Sequence, residues 1–229
     1  FGGAYGWGAG NRIEVAQASI VAVDTDAGIS GCGEFTPCGE NYMVGNSEGV
    51  AAVARLLAPA LIGQDPRQLG RIERLMDHLV QGHAYAKAPF DAACWDILGK
   101  ATGQPVWMLL GGKLTDGAPM YRVAPQKPTD ETIAELESHR AAGYRQFQIK
   151  VGADWVADID RIRATVPLLK PGEKAMADAN QGWRVDNALR VVNATRDLDY
   201  ILEQPCHSYE ECQQAVSYTH LRAHETSLH

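Results

Sequence analysis

From residue 120 onward, short apolar runs alternate with amphipathic stretches at a period of about 25 to 28 residues. The strand-like runs are MYRVA (120–124), RQFQIKVG (145–152), KAMADAN (174–180) and DYILEQP (199–205). The helical stretches between them cover 129–143, 153–169 and 184–197, and another begins at 208. Parallel strands cannot be joined by a tight turn; they need a crossover, and a helix of this length is the usual one. Successive βα units therefore confine this half of the chain to an α/β fold, with a parallel sheet covered by helices.

Residues 1–112 read differently. IEVAQASIVAVDTDAGISGCGEFTP alternates and then turns, which predicts a strand over 13–24, a hairpin turn at Asp26-Ala27-Gly28 and a return strand over 29–35. Three helical patterns follow: 47–63 with Ser47 as N-cap and Gly63 as stop, 65–80 opened by Asp65-Pro66, and 88–103 with Pro89 early and Gly103 at its end. Cys94 and Trp95 on the third pattern read as core. Gly6, Gly8 and Gly10 in GWGAG follow no strand and precede no clear helix, so they read as a flexible loop rather than a dinucleotide-binding turn.

In parallel βα architectures the reactive residues sit at the carboxyl ends of strands. The second run ends in Gln148-Ile149-Lys150, the third in Asp178-Ala179-Asn180 and the fourth in Glu203-Gln204-Pro205. Residues i and i+2 of an extended strand share a side, so Asp178 and Asn180 aim together. Two acids suit a hard cation such as Mg2+, which prefers oxygen ligands. A lysine beside such an ion can lose its proton and serve as a base. The other reading is that strand ends run out into solvent and Lys150 is a snorkelling surface residue. Spacing leaves both open. Glu203 favours the first, because an acid that closes the apolar run Tyr200-Ile201-Leu202 just before a rigid proline is poorly explained as a surface charge.

Charge and composition narrow the classes. The net charge is −7 with both signs interspersed, which argues against nucleic-acid binding, since that needs a basic stripe. No apolar run approaches the roughly 20 residues of a membrane span, and no signal peptide is visible. The five cysteines are odd in number and none is in C-x-x-C spacing, which argues for reduced thiols in the cytoplasm. The chain does not open on Met, so its start reads as incomplete. Residues 216–229 break the βα rhythm. His220 and His224 stand at i, i+4 there, but HLRAH lacks the glutamate of H-E-x-x-H. The run is similar to translated sequencing-adapter DNA and is read as a non-native tail.

YAKAPFDAACWDILGKATGQPVWMLLGG, YRQFQIKVG, MADANQGW and LEQPC together resemble the enolase superfamily, in its mandelate racemase/muconate lactonizing branch, over nearly all of residues 1–215. The resemblance implies an α+β capping domain over 1–115, incomplete at its N-terminus, and the first half of a (β/α) TIM-type barrel over 116–215. It implies Asp178 and Glu203 as Mg2+ ligands with Asn180 supporting them, Lys150 as base, and Gln148 orienting Lys150 or the substrate. The implied chemistry is abstraction of the α-proton of a carboxylate through an enediolate. Many relatives carry Lys-x-Lys where this chain has Gln148-Ile149-Lys150. Gln-x-Lys with EQPC is similar to the subgroup acting on proline derivatives.

Dehydration of cis-3-hydroxy-L-proline is thus the implied activity. Racemisation or epimerisation of proline betaine or 4-hydroxyproline betaine is the alternative, and a non-catalytic binding protein the further one. The implied partner is a small amino-acid-like carboxylate, with homo-oligomeric assembly at full length and neither nucleic acid nor membrane. The family pattern also needs a third acidic ligand and a second lysine on later strands. Residues 1–229 hold neither, so this chain by itself is expected to be inactive.

Overall fold

The computed structural model describes residues 5–7, 11–39, 43–217 and 222–224. The chain divides into two units: Val15–Asp116, and Gly117–His229 together with Phe1–Glu14. At the start, β1 (Tyr5–Trp7) and β2 (Asn11–Ile13) pair antiparallel. Gly6 therefore lies in a strand opposite Arg12 rather than in a loop, while Gly8 and Gly10 fall outside the described residues.

In Val15–Asp116, β3 (Ser19–Asp24) and β4 (Ser30–Phe35) form the expected hairpin, turned at Thr25–Gly28 with Gly28 at φ +73°. The single strand expected over 13–24 is in fact two pieces. Residues 11–13 pair with β1 and residues 19–24 with β4. Alternation reports which side is apolar and is blind to a change of partner, so the break was invisible in it. Helix α1 (Ser47–Leu61) is capped by Asn46, not Ser47: Asn46 Oδ1 accepts from the Gly49 N–H at 2.7 Å. Helix α2 (Leu69–Leu79) starts later than Asp65, because that carboxylate folds a local turn by accepting from the Arg67 N–H at 3.0 Å. Helix α3 (Ala84–Thr102) starts earlier than expected, carries Pro89 inside it, and stops on left-handed Gly103 as predicted. A short α4 (Val106–Leu109) follows.

The buried side of β4 alternates Gly31, Gly33 and Phe35. A Cβ on Gly33 would stand 1.9 Å from Pro89 O, and one on Gly31 2.2 Å from Ala93 O, so the hairpin lies on α3 only because both are glycine. Val50, Val53, Leu57, Ile72, Met76, Phe90 and Cys94 fill the space between hairpin and helices. Trp95 is only half-buried, short of the core position expected for it.

The second unit follows the βα rhythm closely. Its elements are β5 (Tyr121–Ala124), α5 (Thr129–Ala141), β6 (Gln146–Lys150), α6 (Trp155–Thr165) with a 3-10 turn at Val166–Leu168, β7 (Lys174–Asp178), α7 (Val185–Thr195), β8 (Ile201–Glu203) and α8 (Tyr209–Val216). A final strand, β9 (Arg222–His224), falls within the stretch read as a tail and pairs with β8, with His224 opposite Glu203 in register; His220 and His229 lie outside the described residues. The five strands run parallel in the order β5-β6-β7-β8-β9.

One side of this sheet is apolar. Ile149, Ala175, Ala177 and Leu202 meet Ile162, Val191, Val192 and Ala215 from the helices, and burial of each large aliphatic side chain contributes about 1.5–3 kcal/mol. That packing fixes which residues of each strand look the other way. Among the described residues no helix is long and apolar enough to cross a membrane, and Cys32, Cys38 and Cys94 are unbridged thiols.

Candidate active site

The parallel register of β6, β7 and β8 puts Lys150 opposite Asp178 and Asp178 opposite Glu203. Residues paired in one register row project from the same side of a sheet. Their neighbours Ile149, Ala177 and Leu202 are committed to the helix side, so Lys150, Asp178 and Glu203 must all project from the opposite side. Gln148, two residues back on β6, joins them.

None of these side chains runs out into solvent. Lys150 is 5% exposed, Gln148 4%, Asp178 2%, Asn180 7% and Glu203 8%. Lys150 Nζ donates to Asp178 Oδ2 at 2.5 Å. Gln148 Nε2 donates to both acids, to Asp178 Oδ2 at 3.1 Å and to Glu203 Oε2 at 2.7 Å. Asn180 donates its backbone N–H to Asp178 Oδ1 and its side-chain Nδ2 to Asp178 Oδ2, each at 2.9 Å. One carboxylate oxygen thus collects three donors, and one amide nitrogen draws the two acids together. All five residues singled out in the sequence meet here.

The backbone around them is unusual. Asn180 (φ +45°), Gln181 (φ +63°) and Gln204 (φ +42°) are left-handed, and only one other non-glycine among the described residues, His83, is so. Such conformations cost about 1–3 kcal/mol each and persist only when their surroundings dictate them. Here they are dictated by a backbone zipper past the strand ends. The Ala179 N–H donates to Glu203 O at 3.1 Å, the Gln181 N–H to Gln204 O at 2.8 Å and the Trp183 N–H to Pro205 O at 3.2 Å.

Sequence reasoning passed over a second cluster, on α6. Asp158 is fully buried, and its Oδ2 accepts from the Gly152 N–H at 2.8 Å and from Trp183 Nε1 at 3.0 Å. Its Oδ1 accepts from Arg161 Nη1 at 2.7 Å. Burial pushes the Asp158 carboxyl up, against the downward pull of the Gly152 N–H, the Trp183 indole and Arg161. The signal available was a polar residue at helical spacing among the inward positions Trp155, Ile159 and Ile162.

Asp178 and Glu203 are buried oxygen donors of the kind that could hold a hard cation. Asp178 and Glu203 offer converging carboxylates, and Mg2+ is commonly held by one or two carboxylates, with waters and substrate completing its shell. Among the described residues no three His, Cys, Asp or Glu gather to form a protein-only cage. Two carboxylates could hold an ion only if water or substrate filled its remaining positions.

A run of parallel βα units with a lysine and two acids in one row at the strands' carboxyl ends is the arrangement in which (β/α)-barrel enzymes carry their active sites. The chain belongs to the enolase superfamily, in the mandelate racemase/muconate lactonizing enzyme family. Residues 9–111 match the mandelate racemase/muconate lactonizing enzyme N-terminal domain, and 131–227 match the enolase C-terminal domain-like family.

A cis-3-hydroxy-L-proline dehydratase from Roseibium aggregatum is 46% identical over 91% of this chain and 57% of its own length. An N-succinyl-L-Arg/Lys racemase from Bacillus cereus is 34% identical over 81% of this chain and 51% of its own. The crystal structure of a mandelate racemase/muconate lactonizing enzyme from Roseovarius nubinhibens superposes with TM-score 0.94 at 76% identity, over 98% of this chain and 60% of that one. An enolase-superfamily member from the same organism, solved with magnesium, superposes with TM-score 0.87 at 31% identity, over 97% of this chain and 62% of that one. The chain thus spans a little over half the length of these relatives. Its two units are a capping domain and an incomplete portion of the parallel-sheet barrel.

Proposed function

We propose that the whole protein abstracts the α-proton of a small amino-acid-like carboxylate with the help of Mg2+, and that cis-3-hydroxy-L-proline is dehydrated in consequence. The observation that carries this is the buried row in which Lys150 and Gln148 meet the carboxylates of Asp178 and Glu203. The Roseibium relative supports the substrate.

Asp178 and Glu203 would hold the ion, which would supply positive charge next to the substrate carboxylate as that group takes up the electrons of the broken C–H bond. Lys150, as the neutral amine, takes the α-proton on Nζ. Gln148 Nε2 holds the two acids at a set spacing and, through Asp178 Oδ2, limits where Nζ stands. Asn180 fixes the Asp178 carboxylate with two N–H groups, so that it keeps one orientation while charge builds beside it. Low exposure keeps water from competing for Nζ.

Residues 1–229 taken alone are inferred to turn over poorly, because two acids and one lysine leave the ion weakly held and the opposite side of the substrate without an acid. The test is a dehydratase assay on the full-length protein and on this chain, with cis-3-hydroxy-L-proline in deuterated water. Loss of water by the full-length protein, absent after EDTA and absent in this chain, is expected. α-Deuteration with no loss of water would replace the dehydratase reading by the epimerase one. Turnover insensitive to EDTA would refute the role of the ion, and full turnover by this chain would refute its inactivity.

A further inference from the structure

We propose that Asp158 and Arg161 form a positioning device for the candidate site: a buried ion pair on α6 that sets the relative placement of the loops following β5, β6 and β7, and with it the spacing of Lys150 and Asp178. The inference rests on reading those two as site residues. Asp158 Oδ2 reaches the Gly152 N–H, two residues past Lys150, and the Trp183 indole, five past Asp178. Arg161, paired to Asp158 Oδ1, donates from Nε at 3.2 Å and Nη2 at 3.0 Å to Lys127 O in the loop after β5. Three consecutive loops are thereby tied to one turn of one helix.

The tie is tight where it matters. Gly152 sits at φ +103° with its Cα face against Ala179, so close that a Cβ would stand 2.1 Å from Ala179 O. The Val151 N–H donates to Asp178 O at 2.9 Å. Asp158 therefore pulls on Gly152 on one side of this contact and on Trp183 on the other, and Lys150 and Asp178 lie directly below it in paired register. A pair that served stability alone could join any two loops; this one joins the loops that carry the base and the acid.

Asp158→Asn is the probe, since it keeps the shape. The Asn oxygen stays on the Arg161 guanidinium, which turns its NH2 toward the Gly152 N–H and the indole N–H, donor against donor. Trp183→Phe is the milder second variant and removes one arm. Gly143→Ala, at the far end of the α5–β6 connection where nothing lies within 4 Å of the added Cβ, is a control that lowers stability without touching the site. The readouts are the Lys150 Cε and Nζ resonances in labelled chain, amide exchange at Gly152 and Trp183, and Mg2+ titration followed at the Ala179 and Asn180 amides.

Asp158→Asn is expected to shift the Lys150 resonances, to speed exchange at Gly152 by about tenfold beyond the change in global stability, and to weaken Mg2+ by about tenfold. Trp183→Phe is expected to move Ala179 and Asn180 more than Lys150, and Gly143→Ala to move none of them. Unchanged Lys150 resonances in Asp158→Asn, or an equal shift in Gly143→Ala, would overturn the proposal. A full-length protein that binds no Mg2+ would count against the ion-binding reading of Asp178 and Glu203. The Lys150 and exchange readouts need no metal and would still decide the role of Asp158.

Discussion

Gly152→Ala isolates the close approach on which the candidate site depends. Two costs add. An L-residue at φ +103° is strained by about 1–3 kcal/mol. The new Cβ would lie 2.1 Å from Ala179 O and 2.8 Å from Ala179 C, whereas relaxed carbon–oxygen contacts sit at about 3.3 Å or more. One loop must then move by roughly 1 Å, and overpacking of that kind costs about 1–3 kcal/mol.

The sum is about 4 kcal/mol, or a fall of roughly 12 °C in melting temperature for a chain of this size. Gly143→Ala provides the reference, because Gly143 has nearly the same φ, +97°, and no atom within 4 Å of the added Cβ. It should cost only the strain, about 2 kcal/mol. Urea and thermal unfolding of both variants beside wild type measure the difference. Equal losses, within about 0.5 kcal/mol, would show that the loops after β6 and β7 are not pressed together, and would remove the basis for linking Lys150 to Asp178 through them.

Other outcomes follow from single contacts. Glu173 accepts from Arg140 Nε and Nη2, each at 2.8 Å, and this holds its carboxyl at about 2, below the usual 4.5. A lowered folded-state value stabilises the native chain above pH ~4.5, and the benefit is lost as pH falls toward ~2. Glu173→Gln should therefore cost up to about 3 kcal/mol at neutral pH and progressively less in acid; urea midpoints at pH 7, 4 and 3 would test it. Asn46→Ala should cost about 1 kcal/mol of stability through loss of the α1 cap, while Ser47→Ala stays near wild type in the same unfolding measurement. In the full-length protein, Lys150→Met should slow α-proton exchange in deuterated water by about a thousandfold; exchange at the wild-type rate would assign the base elsewhere.

The fold of the second unit was legible because its signal is redundant. Each strand is an apolar run bounded by turn residues, each crossover has helical periodicity, and the spacing repeats, so an error in one element is corrected by its neighbours. The first unit offered less. The single strand expected over 13–24 is two pieces, Asn11–Ile13 paired with β1 and Ser19–Asp24 with β4, and the helix starts are set by local side-chain bonds at Asn46 and Asp65 that compete with equally plausible neighbours. The candidate site followed the same division. Lys150, Asp178 and Glu203 end runs whose ends could be counted. Asp158 could not be found that way, because it lies in the middle of a helix and its partners Gly152 and Trp183 are brought to it by two different loops.

The sequence by itself determined which residues could share the mouth of the sheet. A period-2 strand and a βα repeat leave little freedom in which side chains end up at its carboxyl end. Only the tertiary structure decided that they touch. Whether Lys150 snorkels into water or lies on Asp178 Oδ2, and whether Gln148 faces solvent or draws two acids together, depends on register between strands far apart in the chain. That register is set by how Ile149, Ala177 and Leu202 pack against the helices on the other side of the sheet. A single-residue slip would turn the whole row toward the core, and no local run of sequence records the packing that prevents it.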